Sequence, residues 1–83
     1  MITVRFPAVL RERPAPEVRV EEPVATLGDL LDLLDRRFPG LARGLDDPIF
    51  AWAINEELVL HDALARPLRE GDVVEVVPAI SGG

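Results

Sequence analysis

Length, composition and charge limit what this chain can be. Its 83 residues suffice for one domain with a single core, and an apolar share of 48% supports a folded globule rather than a disordered chain. The chain has no cysteine, which excludes disulfides, thiolate metal sites and a cysteine nucleophile. A net charge of −6 disfavours binding to nucleic acid and fits a partner with a basic face.

No segment has the pattern of a leader or a membrane span. Residues 1–6 alternate polar and apolar side chains, and no apolar run of signal-peptide length follows them. The longest uninterrupted apolar run, residues 49–54, is far shorter than a bilayer requires. We therefore expect a cytoplasmic protein with no membrane partner. All nine basic residues are arginine, so no side chain carries an amine.

The first elements have the pattern of a β-hairpin. Ile2, Val4 and Phe6 alternate with polar residues at the period-two spacing of a half-buried strand. Residues 11–16 contain two prolines and predict a turn. Val18 and Val20 continue the alternation in a second strand.

A helix begins at Thr26. Thr26 and Asp29 have the spacing of a capping box in its acidic variant, and the Pro39-Gly40 pair ends the helix. Apolar side chains between these signals recur at helical spacing and predict one buried stripe: Leu27, Leu30, Leu31, Leu34 and Phe38. The connector that follows has room for one further helical turn at residues 41–45.

The second half of the chain predicts three more strands. Residues 49–54 predict a strand in the interior of the sheet, because both of its faces are apolar. These faces are of unequal size: Phe50, Trp52 and Ile54 on one side, Ala51 and Ala53 on the other. Residues 55–57 predict a turn, residues 58–60 a short strand and residues 61–70 a loop. Residues 70–72 predict a tight turn, and residues 73–77 predict the last strand.

The order of these elements predicts an α+β fold. A hairpin, a crossing helix and returning strands build a mixed sheet of four to five strands, with one main helix packed across one face. A right-handed crossover through the helix places a later strand parallel to the first. This is the ubiquitin-like β-grasp, predicted for residues 1–77, with a flexible C-terminal Gly-Gly tail over residues 78–83.

The C-terminal string of residues 69–83 resembles that of the MoaD/ThiS family. It contains a Gly71-Asp72 turn, an apolar strand, Pro78 and a terminal Gly82-Gly83 pair. Further matches extend the resemblance to nearly the whole chain: Val4, Phe6, Leu10-Arg11-Glu12, Thr26-Leu27, Leu30 and Ile54-Asn55.

Two departures from the family pattern bear on which biosynthetic pathway would receive the sulfur. Ala79 follows Pro78 where many molybdopterin synthase small subunits have a second proline, and the loop over residues 55–71 is longer than in some members. Both features resemble the CysO-like carriers, which donate sulfur for cysteine biosynthesis.

The resemblance implies a sulfur carrier rather than an enzyme, with no metal and no bound cofactor. It also implies that a MoeB/ThiF-like enzyme uses ATP to adenylate the Gly83 carboxylate and that a sulfur donor converts the adenylate into a thiocarboxylate. Glycine has no Cβ, so Gly82 and Gly83 can thread a narrow channel. The other tail residues are expected to bind the partners: Pro78, Ala79, Ile80, Ser81 and Gly82.

Several functions stay open. The leading one is the small subunit of molybdopterin synthase, which pairs with a MoaE-like large subunit as sulfur acceptor. The alternatives are a sulfur donor for cysteine (CysO-like) or thiamine biosynthesis, a protein modifier conjugated through Gly83, and an interaction domain with an idle tail.

Partners must also dock on the folded domain, and the sequence offers several apolar candidates for that surface: Phe6, Leu58, Leu60 and residues 73–77. The remaining polar groups are predicted to be solvated surface residues rather than catalytic or metal-binding ones: His61, Asp46, Asp47, Glu56 and Glu57.

Overall fold

Strands from both ends of the chain form the middle of a five-stranded sheet. The computed structural model describes residues 1–78. Its strands are β1 (Ile2–Arg5), β2 (Glu17–Val20), β3 (Phe50–Ile54), β4 (Glu57–Val59) and β5 (Val73–Pro78). They are arranged in the order β2-β1-β5-β3-β4, with β5 parallel to β1 and the other neighbouring pairs antiparallel. The predicted mixed sheet is confirmed. β3 lies in its interior, as predicted, and β5 is the middle strand of the five.

Helix α1 (Leu27–Arg37) packs across one face of this sheet and begins where the sequence predicts. Thr26 Oγ1 accepts a hydrogen bond from the Asp29 amide at 3.2 Å, which satisfies one of the free amides of the first turn. The predicted helical turn is also present, as α2 (Leu41–Leu45).

A 3-10 helix (Ala63–Ala65) lies within the segment predicted to be a loop and packs against α1. It approaches α1 at Gly28, where a Cβ would lie 3.0 Å from the Leu64 carbonyl oxygen. The close contact therefore depends on the missing side chain of a helical glycine, which hydrophobic periodicity does not reveal.

The buried stripe of α1 differs from the predicted one, and Phe38, predicted as its last member, is the partly buried residue that caps the helix C-terminus. Leu33 is buried together with Leu27, Leu30 and Leu34, whereas Leu31 is only partly buried. The segment before the helix explains the difference, because Val24 and Leu33 line the same cleft. The helix is thus covered from this side as well as by the sheet.

Apolar side chains fill the space between the sheet and the helices. Val4, Val20 and Val74 are completely buried, and full burial of such a side chain contributes roughly 1.5–3 kcal/mol. Within residues 1–78 no polar or charged residue is buried, so this core needs no internal hydrogen-bond partners.

The β3–β4 hairpin closes one residue earlier than predicted. Asn55 and Glu56 form the turn, with φ angles of 51° and 70°, the positive values of a type I′ turn. Ile54 therefore pairs with Glu57, and Leu60 falls outside the strand with 76% of its surface exposed.

Asn55 also fixes the start of β5. Its Oδ1 accepts a hydrogen bond from the Val73 amide, and its Nδ2 donates to Asp72 Oδ1, both at 2.9 Å. Asp72 Oδ2 accepts from the Arg69 amide at 2.7 Å. This network of Asn55, Asp72, Arg69 and Val73, which we call the Asn55 clamp, joins the hairpin turn to the turn before β5. It thereby sets the register between β3 and β5.

The clamp predicts a specific response to substitution. Asn55→Ala removes two side-chain hydrogen bonds. It also leaves at positive φ an alanine, whose side chain cannot make the hydrogen bonds that help asparagine to adopt this backbone angle. We expect it to lower the free energy of unfolding by about 2–3 kcal/mol, measured by urea denaturation. Asn55→Gly loses the same bonds but tolerates the backbone angle, so it should lose about 1 kcal/mol less. Wild-type stability in both variants would contradict the clamp.

Candidate functional site: the last strand and the open sheet face

β5 is the strand that leads into the predicted tail, and it is hydrogen-bonded on both sides. It pairs with β1 along one edge and with β3 along the other. Val74 and Val76 point into the core and are 0% and 2% exposed. A displacement of β5 would break two ladders and expose these side chains, so the strand provides a rigid base for the residues after Pro78.

Pro78 is the last residue of β5 and pairs with Phe50 of β3. The strand thus extends one residue beyond its predicted end at Val77. Proline lacks an amide hydrogen, which a strand tolerates at a terminal position more easily than within the ladder. The other predicted site residues lie outside the described residues: Ala79, Ile80, Ser81, Gly82 and Gly83. Adenylation at Gly83 therefore stays a prediction.

The sheet face opposite α1 carries a small apolar surface. Cross-strand pairing places Val77 beside Ala51, and Leu58 beside Ala53. Leu58 is 54% exposed, and the two alanines give the surface a shallow floor that another chain can approach closely. We call Ala51, Ala53, Leu58 and Val77 the open-face patch.

Of the residues predicted to dock partners, the structure exposes some and buries others. Phe6 is only 5% exposed, so its prediction as a docking residue is wrong. It continues the inward alternation of β1, and its amide donates to the Pro16 carbonyl at 2.9 Å, which holds it on the core side. Leu58 and Leu60 are exposed as expected. Of the β5 valines, only the outward-facing Val73 and Val77 are available for contact.

Charged side chains border the open-face patch. Arg5 lies in register between Glu17 and Glu75, and its Nε donates to Glu17 Oε1 at 3.4 Å. Over the described part of the chain no ion pair engages Glu75, which lies beside Ala53. The open face thus presents a carboxylate next to apolar surface, and this combination complements a partner with basic and apolar side chains.

The remaining polar groups do not form a second site. His61 and Asp46 are exposed, and Asp47 accepts a hydrogen bond from the Ile49 amide at 3.0 Å. Glu57 lies 3.6 Å from the Arg66 guanidinium. Among residues 1–78 no cluster of acidic or histidine side chains is suited to a metal ion. No helix in that part of the chain has the length and apolarity needed to cross a membrane.

Two contributors to this site were not predicted from sequence. Asn55 positions β5 through the clamp, and Glu75 supplies the carboxylate beside the patch. Both had a signal: asparagine favours the first position of a two-residue hairpin turn, and alternation along β5 places Glu75 on the same face as Val73 and Val77.

Comparison with known proteins identifies the family. The sequence profile of the ThiS family matches residues 4–83. The chain belongs to the ThiS family. It is 34% identical to small archaeal modifier protein 3 of Haloferax volcanii and 26% identical to sulfur carrier protein CysO of Mycobacterium tuberculosis H37Rv. Each match covers 99% of this chain and 98% of the relative.

Solved structures of related proteins have the same fold. A chain of the BexX/CysO complex of Amycolatopsis orientalis superposes with a TM-score of 0.80 at 25% identity, over the full length of both chains. A chain from the complex of molybdopterin-converting factor subunits 1 and 2 of Helicobacter pylori superposes with a TM-score of 0.65 at 26% identity, over 99% and 97% of the two chains. This ThiS family member is thus a ubiquitin-like β-grasp protein of the MoaD/ThiS type.

The two faces of β5 predict unequal effects of the same truncation. Val74→Ala leaves a cavity in the core and should lower the free energy of unfolding by about 2 kcal/mol. Val73→Ala removes the same atoms from a partly buried position on the open face and should lower it by at most about 1 kcal/mol. Chemical denaturation of both variants measures the difference. Equal losses would show that the faces are assigned wrongly.

Proposed function

We propose that this chain is a sulfur carrier whose Gly83 carboxylate is activated as an adenylate and then converted into a thiocarboxylate. The observation that carries the proposal is the ThiS family match, which includes the Gly82-Gly83 pair, together with the identity to the sulfur carrier CysO. The fold supports it, because β5 ends five residues before Gly83 and is anchored on both sides.

The proposed chemistry uses ATP to make a poor electrophile reactive. A carboxylate oxygen of Gly83 attacks the α-phosphorus of ATP, and pyrophosphate leaves. A sulfur nucleophile then attacks the carbonyl carbon, the bond to AMP breaks, and the carbon keeps the sulfur. A MoeB/ThiF-like enzyme binds the ATP and catalyses activation. The carrier contributes position, because a rigid base limits the conformations that the reacting end must lose.

The comparisons favour a CysO-like pathway over the molybdopterin pathway. The TM-score with the BexX/CysO complex is 0.80, against 0.65 with the molybdopterin-converting factor. Ala79 after Pro78 also favours the CysO-like pathway, because many molybdopterin synthase small subunits have a second proline there. We therefore propose a CysO-like donor to an acceptor enzyme first, and the small subunit of molybdopterin synthase with a MoaE-like partner second, the reverse of the sequence-based ranking. Either role places the carrier in the cytoplasm.

A second candidate function is protein modification. The 34% identity to small archaeal modifier protein 3 supports it. In this role a lysine amine of another protein, rather than sulfur, attacks the activated Gly83 carbon. The bond to AMP breaks, the amine loses a proton to water, and an isopeptide bond forms.

Reconstitution separates these functions. With a MoeB/ThiF-like enzyme of its own genome, ATP and sulfide, the carrier should gain the mass of one oxygen replaced by sulfur, located at Gly83 by fragmentation. A chain extended by one alanine after Gly83 is the matched control and should remain unmodified, because its carboxylate is displaced. An unchanged mass with every such enzyme would exclude the carrier, and lysine adducts on other proteins would favour the modifier.

The open-face patch predicts where the activating enzyme docks. Leu58→Arg places a cation across Ala53 from Glu75 and removes apolar contact, so the Kd for that enzyme should rise at least about tenfold, or about 1.4 kcal/mol. Leu64→Arg is the control, because Leu64 is 52% exposed against 54% for Leu58 but lies on the α1 side of the sheet. Titration calorimetry measures both. A larger effect at Leu64 would contradict docking on the open face.

A further inference from the structure

An activated carboxylate reacts with any free amine that it can reach. If Gly83 is activated as proposed above, a lysine placed within reach in the same chain would attack its carbonyl carbon through its side-chain amine. The nitrogen–carbon bond forms, the bond to the leaving group breaks, and the amine gives its proton to water. An arginine guanidinium stays protonated in proteins and does not take part. The identity of the basic residues therefore decides whether the carrier can acylate itself.

The length of chain after β5 limits which positions are exposed to this reaction. Five residues follow Pro78, and five residues span at most about 17 Å. β5 has six residues, so at roughly 3.3 Å per residue the strand is of similar length. An activated Gly83 consequently reaches the Pro78 end of the domain far more readily than the opposite end.

Three exposed arginines lie at the Pro78 end. Arg11 and Arg43 line a groove of about 460 Å³ together with Phe50, the residue that pairs with Pro78. Arg5 pairs in register with Glu75, three residues before Pro78. A lysine at any of these positions would place an amine within the span of the tail.

Packing does not require a guanidinium at these positions. The Arg5–Glu17 pair is exposed, with 3.4 Å between Nε and Oε1, and such a pair contributes at most about 1 kcal/mol with either cation. Within residues 1–78 neither Arg11 nor Arg43 makes an ion pair or a side-chain hydrogen bond. Lysine would fit all three sites, yet the chain has arginine at every basic position.

We propose that Arg5, Arg11 and Arg43 are specificity determinants of the carrier reaction, because they keep positive charge near the tail without offering an amine. Cysteine and tyrosine, two further acylation targets, are also absent from the chain. The α-amine of Met1 lies at the opposite end of the sheet, where it contacts the Glu70 carboxylate. No side-chain amine, thiol or phenol of the chain therefore competes with external sulfur for the activated carbon, and copies of the carrier cannot branch through lysine side chains.

A thioester at Gly83, prepared by intein cleavage of the full chain, tests this without an activating enzyme. Arg11→Lys and Arg43→Lys should each lose the thioester by forming a lactam between Gly83 and the new lysine, mapped by fragmentation. Arg37→Lys is the control, because Arg37 lies in a cleft with Met1 at the far end and keeps its charge near Glu22. There the Arg37 guanidinium, by hydrogen bonding, lowers the pKa of the Glu22 carboxyl.

At mildly alkaline pH and about 10 μM protein, lactam formation at position 11 or 43 should be on the order of a hundredfold faster than any acylation at position 37, because a short tether gives a millimolar effective concentration. The wild-type thioester should only hydrolyse. The inference would be overturned if the thioesters of Arg11→Lys and Arg43→Lys only hydrolysed. It would also be overturned if the wild-type thioester acylated its own chain as fast as these variants do. Failure of the proposed function appears separately, as a missing thiocarboxylate in the enzymatic reconstitution.

Discussion

The pairing of β5 with β1 on one side and β3 on the other is the constraint on which this structure depends. It joins the first and last strands of the chain, so the core closes only when residues far apart in sequence have met. The Asn55 clamp sets the register of this pairing, since Val73 and Asp72 bond to the hairpin turn of β3 and β4. A shift of one residue would turn Val74 and Val76 outward. The same register determines where Pro78 ends the sheet and therefore where the last five residues start.

Alternation along β3 and β5 gives the two faces of the sheet different tasks. Ile54, Val74 and Val76 bury their side chains against the helices and hold the fold together. The opposite face has small alanines, an exposed Leu58 and the Glu75 carboxylate, which contribute little to the core. A carrier that serves one enzyme after another needs such a division, because a surface that is not needed for stability is free to match its partners.

Local signals in the sequence predicted most of the fold. The Thr26 cap, the alternating valines and the Pro39-Gly40 stop act over a few residues, and each marks the element that the structure contains. The errors arise where distant segments meet. Leu33 is buried in the core against which Val24, from the segment before the helix, also packs. Phe6 is buried because the chain after β1 turns back at Pro16, and the 3-10 helix forms against Gly28. One error is local instead: β4 begins one residue earlier than predicted because Asn55 and Glu56 adopt the positive φ angles of a two-residue turn. In the open-face patch, Leu58 and Val77 were among the residues predicted from sequence to dock partners, whereas the clamp was not predicted. The role of the Gly82-Gly83 pair stays a prediction.

The absence of cysteine makes the central claim, a thiocarboxylate at Gly83, directly measurable. A thiol-alkylating reagent has no cysteine to modify in this chain, so any stable adduct on the C-terminal residue reports transferable sulfur. The most direct measurement is intact mass spectrometry of the protein isolated from its own cells and treated with iodoacetamide. The account predicts a fraction of molecules with a single adduct that fragmentation places at Gly83. A population that carries only the unmodified carboxylate, in cells that depend on this chain for sulfur transfer, would contradict it.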